Sequence, residues 1–462
     1  VAVLHLEHRI DALVARALAS TAVKTAAAVA IGRATKNSDL GIIAWLLLME
    51  TNKADLRSWL SLPERFEVAR LALPAGRAHE AAGEDALSPA CEELLLKGCE
   101  GQDAAAVARA FAGLGWAVGT ASEAEWLKVS GSGLARNFGA FCGQLARVMN
   151  TAAYPEDEVA IWRENAVEEL AMRRAQPSFL AEERLRAELF GAHPYGRGAA
   201  DEAAIGAVSP ERLRAYHGAR LKAAGGFLVL VGDLREDEAR SLLGRSLSSW
   251  PAGAAPACLP PLPDHGKART VLVPRPGSAQ ASLVVAHTSS LTPCDPDYLA
   301  FVVANHALGG TANSRLFENL RTRRGYTYGA YSSLEVYGRG TVWSAGADVR
   351  PDAVQAALNE IRAEAERLRA QPVAADVIAS SKRHLAGLFL MRLASLDRVA
   401  SYLAAVAETG RDPAAVMAGY QERLAAVTPE SAQAAARSRL DPERFVSVVV
   451  GDAGAQRPLQ GL

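Results

Sequence analysis

No stretch of the sequence reaches the ~18–20 uncharged apolar residues that cross a bilayer as a helix, so no membrane span is expected. Residues 9–31 are rich in Ala and Val, but Asp11, Arg16 and Lys24 interrupt them, which also spoils them as a signal-peptide core. Excess charge is missing too. A formal net charge of -1 offers no electrostatic reason for nucleic acid or an anionic membrane as a partner. Cysteine is sparse: Cys91, Cys99, Cys142, Cys258 and Cys294 form an odd, scattered set with no C-x-x-C spacing, so buried thiols are expected rather than a metal or redox motif. The thiols leave the compartment open between periplasm and cytoplasm. Gly309-Gly310 is not followed by Gly-Lys-Ser/Thr, which disfavours a phosphate loop and points to a tight turn. Ser332-Ser333 lacks the Gly-x-Ser-x-Gly setting of a serine hydrolase.

What remains is a soluble, globular composition in a chain of 462 residues, long enough for two or more cores. The chain repeats itself. Val208-Ser209-Pro210-Glu211 precedes a helix-like stretch and then the apolar run Phe227–Val231, closed by Gly232-Asp233. Val427-Thr428-Pro429-Glu430 precedes another such stretch and the run Phe445–Val450, closed by Gly451-Asp452. Both copies place Gly 22 positions after Pro (210 to 232, 429 to 451). Ser or Thr before Pro-Glu predicts a helix start, with the hydroxyl as N-cap and Pro at the first helical position. An apolar run ending in Gly-Asp predicts a buried strand and a turn.

The front parts of the halves correspond as well. Gly115–Gly119 and Trp126–Ser130 read as two strands before a helix from Leu134 to Met149. Gly325–Gly329 and Thr341–Ala345 precede a helix from Asp352 to about Leu368. Pro251 to Asp264 is rich in Pro and Ala and suits a stiff surface linker. The expected fold class is α+β, with two homologous domains at 66–250 and 269–455 joined by 251–268. Each is expected to be a mainly antiparallel sheet covered by helices. Residues 1–65 look mostly helical and do not join the repeat. His5 and His8 there have metal-like spacing but read as an incidental surface pair.

The order of motifs resembles the insulinase/pitrilysin peptidases, and more closely their small two-domain bacterial members. In the first half the likeness rests on Ala75-Gly76-Arg77, on Glu92-Glu93-Leu94-Leu95-Leu96-Lys97-Gly98 and on His193-Pro194-Tyr195-Gly196. In the second it rests on Gly309-Gly310, Ser314-Arg315-Leu316-Phe317, Leu320-Arg321 and Gly325-Tyr326-Thr327-Tyr328, the more specific run. The resemblance implies one half of a clam-like peptidase. It also implies a strand hairpin at the start of the chain; without one, the first-half sheet would lose edge strands.

Active members of the family carry H-x-x-E-H on a helix, two imidazoles on one face holding zinc and a glutamate acting as general base, with a distal glutamate completing the ligands. Here those positions read Pro89-Ala90-Cys91-Glu92-Glu93. Pro89 and Glu93 replace the histidines, Glu92 matches the base, and Glu169 matches the distal ligand. Trp162 stands where a supporting acid is often found. A carboxylate cluster without imidazoles suits a hard cation better than zinc. No metal or other cofactor is therefore expected in this chain, and Cys91 is expected to be a small buried residue.

The resemblance further implies that Arg321 and Tyr328 match the Arg/Tyr pair that the family sets across the cavity from zinc, Arg321 ending a helix and Tyr328 on the next strand. A guanidinium can hold a substrate carbonyl and a phenol can donate to an oxyanion. Read without the family, an arginine near a helix C-terminus meets the dipole and strand tyrosines pack. Arg323, Arg324, Tyr326 and Tyr331 are expected to be solvated or packed. His79, His217, His287, His306 and His384 have no evident catalytic partners, and His193 is expected to position its turn. The implied function is a non-catalytic subunit of a heterodimeric zinc metallopeptidase. A homologous H-x-x-E-H subunit would supply zinc, and the substrate would be an unfolded peptide. The rival readings are a purely structural or binding subunit, and an independent metallopeptidase with an altered site at Glu92, Glu93 and Glu169.

Overall fold

The computed structural model describes residues 66–232 and 235–452. The readings of residues 1–65, including His5 and His8, lie outside them.

The first half contributes β1 (Phe66–Leu73), α1 (Leu87–Leu94), β2 (Trp116–Ser122), β3 (Leu127–Leu134), α2 (Phe138–Thr151), α3 (Glu156–Arg174), α4 (Pro177–Phe190), α5 (Pro210–Arg220) and β4 (Phe227–Gly232). Its strands form an antiparallel sheet in the order β2-β3-β1-β4. The second half contributes β5 (Arg269–Pro274), β6 (Ala281–Ser289), α6 (Tyr298–Gly309), β7 (Thr327–Tyr337), β8 (Gly340–Val349), α7 (Val354–Ala370), α8 (Ala375–Arg392), α9 (Leu396–Ala407), α10 (Pro413–Ala425), α11 (Pro429–Arg439) and β9 (Val446–Gly451). Its sheet runs β5-β9-β6-β8-β7, antiparallel except where β5 pairs with β9. The two orders match strand for strand, with β5 as the additional edge. Among the described residues nothing pairs with the corresponding edge of β4.

The local signals act as their chemistry predicts. Ser209 Oγ accepts the Arg212 amide at 3.3 Å to start α5. Thr428 and Ser431 exchange hydroxyl-to-amide bonds at 3.1 and 2.9 Å to start α11. The apolar runs become β4 and β9, apolar apart from the buried Ser447 because both faces are covered.

What covers them differs by face. In the first sheet Ala69, Leu71, Leu73, Leu228 and Leu230 point into a core with Phe141, Leu145, Trp162 and Leu213 of the same half. The alternate residues Val68, Ala72, Phe227, Val229 and Val231 pack on Val399, Ala400, Leu403 and Ala404 of α9, from the other half. The second sheet does the reverse. Leu283, Val285 and Val449 face their own helices. Ala286, Val446, Val448 and Val450 face Ala181, Leu185, Leu189 and Phe190 of α4. Each half lends a helix to the outer face of the other's sheet. The segment 251–268 between them has no regular structure. It is pinned where Pro260 O meets His193 Nε2 at 3.1 Å and where the Thr288 amide donates to His265 Nε2 at 3.1 Å.

Candidate functional site

The degenerate motif lies on α1. Pro89 occupies its first turn, where backbone N–H groups have no intrahelical acceptor and a proline costs no hydrogen bond. The helix start is served instead by Glu80, whose Oε1 accepts the Ser88 amide at 2.8 Å. Burial pushes the Glu80 carboxyl up to about 7 although Arg77 and Arg197 stand near it. Pro89, Glu80, Arg77 and Arg197 line a cavity of about 200 Å³.

Glu92 is half-buried and Glu93 exposed. Desolvation raises both carboxyls; for Glu93 the charges of Glu92 and Glu169 add to it, so the three acids that the motif aligns do lie near one another. Glu169 is exposed and faces Arg173 at 3.7 Å on its own helix. Trp162 is buried; its indole N–H stands close enough to Glu93 to oppose the rise of that carboxyl but makes no well-formed hydrogen bond among the described residues.

Cys91 turns the other way, into the core. Its Sγ lies 3.1 Å from Tyr154 Oη, which lies 2.7 Å from His217 Nδ1, while His217 Nε2 lies 2.8 Å from the Met149 carbonyl. A carbonyl only accepts, so Nε2 carries the proton and Nδ1 takes the phenol hydrogen, leaving the phenol oxygen to accept from the thiol. Burial pushes the Cys91 thiol up to about 12, far from a thiolate.

These donors do not fit zinc. Pro89 has no ligating atom and Cys91 is held as a buried thiol. No imidazole joins the acids, and no group of three or more His, Cys, Asp or Glu among the described residues is placed to hold a metal ion.

The second candidate group is built differently. After Arg315–Phe317 the helix widens into a π-helical turn, Glu318–Arg323, in which Arg324 N reaches back to Asn319 O at 3.0 Å. Asn319 Nδ2 donates to Glu360 and Glu364 of α7, both at 2.8 Å, and Arg324 pairs with Glu360 at 2.7 Å, which fixes the turn to α7. Arg321 extends from it with its guanidinium 4.8 Å from the centre of the Phe317 ring and with no ion pair among the described residues. Gly325, at φ +65°, makes the left-handed corner into β7.

Tyr328 follows at a β-bulge. Ala330 pairs with Ala347 and Thr327 with Val349, so three steps on β7 oppose two on β8. The Thr327 hydroxyl donates to Gly329 O at 2.8 Å and accepts from Gly329 N at 3.1 Å, closing the bulge. Both Tyr328 and Tyr331 therefore face out, against the period of two, and Tyr328 is 84 % exposed. The sequence places Tyr328 on a strand; the bulge that aims it comes from the register with β8. No hydrogen bond or ion pair among the described residues joins Arg321 or Tyr328 to the carboxylates of α1.

The neighbouring candidates are structural. Arg323 pairs with Glu318 at 3.3 Å, and Tyr326 packs against the second core. Gly309 ends α6, and a Cβ there would stand 2.3 Å from the Ser332 amide, so this glycine permits the helix to abut β7. Ser332 Oγ donates to Asn305 Oδ1 at 2.7 Å in the core. His193 Nδ1 accepts the Tyr195 amide at 3.1 Å and so shapes its turn.

A family model described as "Peptidase M16 inactive domain" matches residues 207–385. The crystal structure of a peptidase M16 inactive domain from Pseudomonas fluorescens superposes with a TM-score of 0.78 at 23% identity, covering 84% of this chain and 93% of that one. The chain is therefore similar to the insulinase/pitrilysin peptidases, in sequence over residues 207–385 and in fold over most of its length. A protease of Helicobacter pylori has the same fold, with a TM-score of 0.75 at 17% identity over 84% of this chain and 94% of that one. In sequence, an uncharacterized zinc protease of Mycobacterium tuberculosis is 26% identical over 318 residues, 68% of each chain. One of Streptomyces coelicolor is 22% identical over 367 residues, 78% of this chain and 79% of that one. Residues 207–385 match the inactive-domain model, and the fold is α+β. No helix of the described residues is long and apolar enough to cross a membrane.

Proposed function

We propose that this chain is the non-catalytic subunit of a two-chain zinc peptidase, reading the halves as 66–250 and 269–455 about the linker 251–268. The observation that carries this is an asymmetry between two sites. The zinc-motif positions hold no donor set for zinc, yet Arg321 and Tyr328 are presented to solvent, uncommitted, on a π-turn and a bulge that the fold maintains. Such local irregularities are commonly kept for function.

A homologous subunit bearing H-x-x-E-H would face this one and supply zinc with its activated water. This chain's own part is electrostatic. Arg321 clamps a carbonyl of the substrate backbone, and Tyr328 Oη donates to the oxygen that gains charge as the peptide carbon becomes tetrahedral. The substrate is an unfolded peptide, for which main-chain pairing to a sheet edge is the natural mode. β2 and β7 both end their sheets.

The test is Tyr328→Phe in the complex reconstituted with an H-x-x-E-H homologue from the same genome. Removing one oxyanion donor is expected to lower kcat about 10²–10³-fold with complex formation unchanged. Unaltered turnover in an intact complex would instead favour a purely structural subunit. Zinc-dependent hydrolysis by this chain alone would restore the altered-site reading at Glu92, Glu93 and Glu169.

A further inference from the structure

A large cavity of the described residues shares no lining residue with either group. It holds about 1020 Å³ and lies among α6, α8, α9, α10 and α11 of the second half. That is at the upper end of the range for small-molecule sites. Its wall is apolar and aromatic, from Tyr298, Leu385, Phe389, Tyr402, Val416 and Tyr420. Phe389 stacks on Tyr420 at 4.3 Å and meets Tyr402 edge-on at 5.6 Å, so the wall is ordered by ring contacts.

Three arginines line the same space: Arg392, Arg411 and Arg423. None has an ion-pair partner among the described residues. Arg411 is half-buried, and its only hydrogen bond among the described residues is Nε to the Thr409 hydroxyl at 2.9 Å. Arg423 spends its donors on carbonyls of its own helix, Gly419 at 3.2 Å and Val416 at 2.9 Å. Arg392 lies 5.9 Å from the centre of the Tyr402 ring. The two carboxylates on the rim are already engaged, Asp297 by Arg439 at 2.7 Å and Asp295 by Arg439 at 3.4 Å and by Thr292. Arg411, partly withdrawn from water without an anion, is unfavourably placed, and with the exposed Arg392 and Arg423 beside it the apolar space is complementary to negative charge.

We propose that this cavity binds an amphipathic organic acid, its apolar body against the aromatic wall and its anionic head on Arg411, with Arg423 and Arg392 at the mouth. The two requirements exclude simpler ligands. A bare inorganic anion would leave the apolar wall empty, and a neutral hydrocarbon would leave the arginines unpaired.

Isothermal titration calorimetry of the full chain with octanoate, 1-naphthoate and the neutral 1-octanol tests this. At least one acid is expected to bind saturably at one per chain and at least tenfold more tightly than octanol. Whether octanoate or 1-naphthoate binds better separates an alkyl from an aryl body. Arg411→Gln and, separately, the more exposed Arg423→Gln are each expected to weaken that acid at least tenfold. Arg321→Ala, at the other site, serves as a control that leaves it unchanged. Failure of both acids to saturate, octanol binding as tightly as the acids, or undiminished affinity in both arginine variants would overturn the proposal.

Discussion

Glu80 shows how one residue settles a conflict of forces beside the lost zinc motif. An ionised carboxylate would suit the start of α1 and the two nearby arginines, and both effects pull its pKa down. Burial opposes them and wins, leaving the folded carboxyl at about 7 against an ordinary 4.5. The folded state therefore binds a proton more tightly than the unfolded chain. This stabilisation is fully present below pH 4.5 and is lost as pH rises through about 7. With about 1.4 kcal/mol for each pH unit between the two values, the loss is on the order of 3 kcal/mol. Glu80→Gln keeps an oxygen for the Ser88 amide but cannot ionise. Urea midpoints at pH 5 and pH 8 should fall for the parent chain through this group and hold more nearly level in the variant. Parallel pH profiles for the two proteins would show that the buried carboxyl is not protonated as argued.

Among the elements, α6 meets β7 at Gly309 and Ser332 with no room for a side chain. Gly→Ala in a helix ordinarily gains about 1 kcal/mol of helix propensity. At Gly309 the added methyl would lie 2.3 Å from a backbone nitrogen of the strand, which cannot swing aside as a side chain would. Overpacking of that kind costs about 1–3 kcal/mol, so Gly309→Ala is expected to lower the thermal midpoint, and a raised midpoint would contradict the close approach. The same region marks the limit of what the sequence discloses. Helix starts at Pro210 and Pro429 were legible because a cap is a contact within four residues. β4 and β9 were legible because, apart from Ser447, residues on both of their faces are apolar. β7 was read only to Gly329, though it continues to Tyr337, because Ser332, Ser333 and Glu335 break the apolar pattern. Ser332 is nonetheless buried, by a bond to Asn305 on α6 that no local pattern announces. The Tyr328 bulge and the chain from Cys91 through Tyr154 to His217 escaped for the same reason: each depends on residues distant in sequence meeting in space. Of the site, the sequence disclosed which positions had lost imidazoles, which acids remained and that Cys91 would be buried, but not its link to Tyr154 and His217.

At the scale of the whole molecule, the exchange of helices makes each half incomplete alone. The outer face of the first sheet is sealed by α9 and that of the second by α4, so a change in one half should be felt in the other. Leu403 is the sharpest probe. It is fully buried on α9 against Val68, Phe227, Val229 and Val231, and truncating such a leucine to alanine costs about 2–5 kcal/mol. If α9 were merely a second-half helix, Leu403→Ala would loosen only its own neighbourhood. If it is a structural part of the first sheet, amides of β1 and β4 should lose hydrogen-exchange protection as well, although the substitution lies more than 150 residues away in sequence. Unfolding should stay a single transition with a lowered midpoint, because neither sheet can keep its outer face covered once the other half opens. Protection unchanged in Phe227–Gly232, beside a clear loss in Leu396–Ala407, would show instead that the halves are stabilised independently.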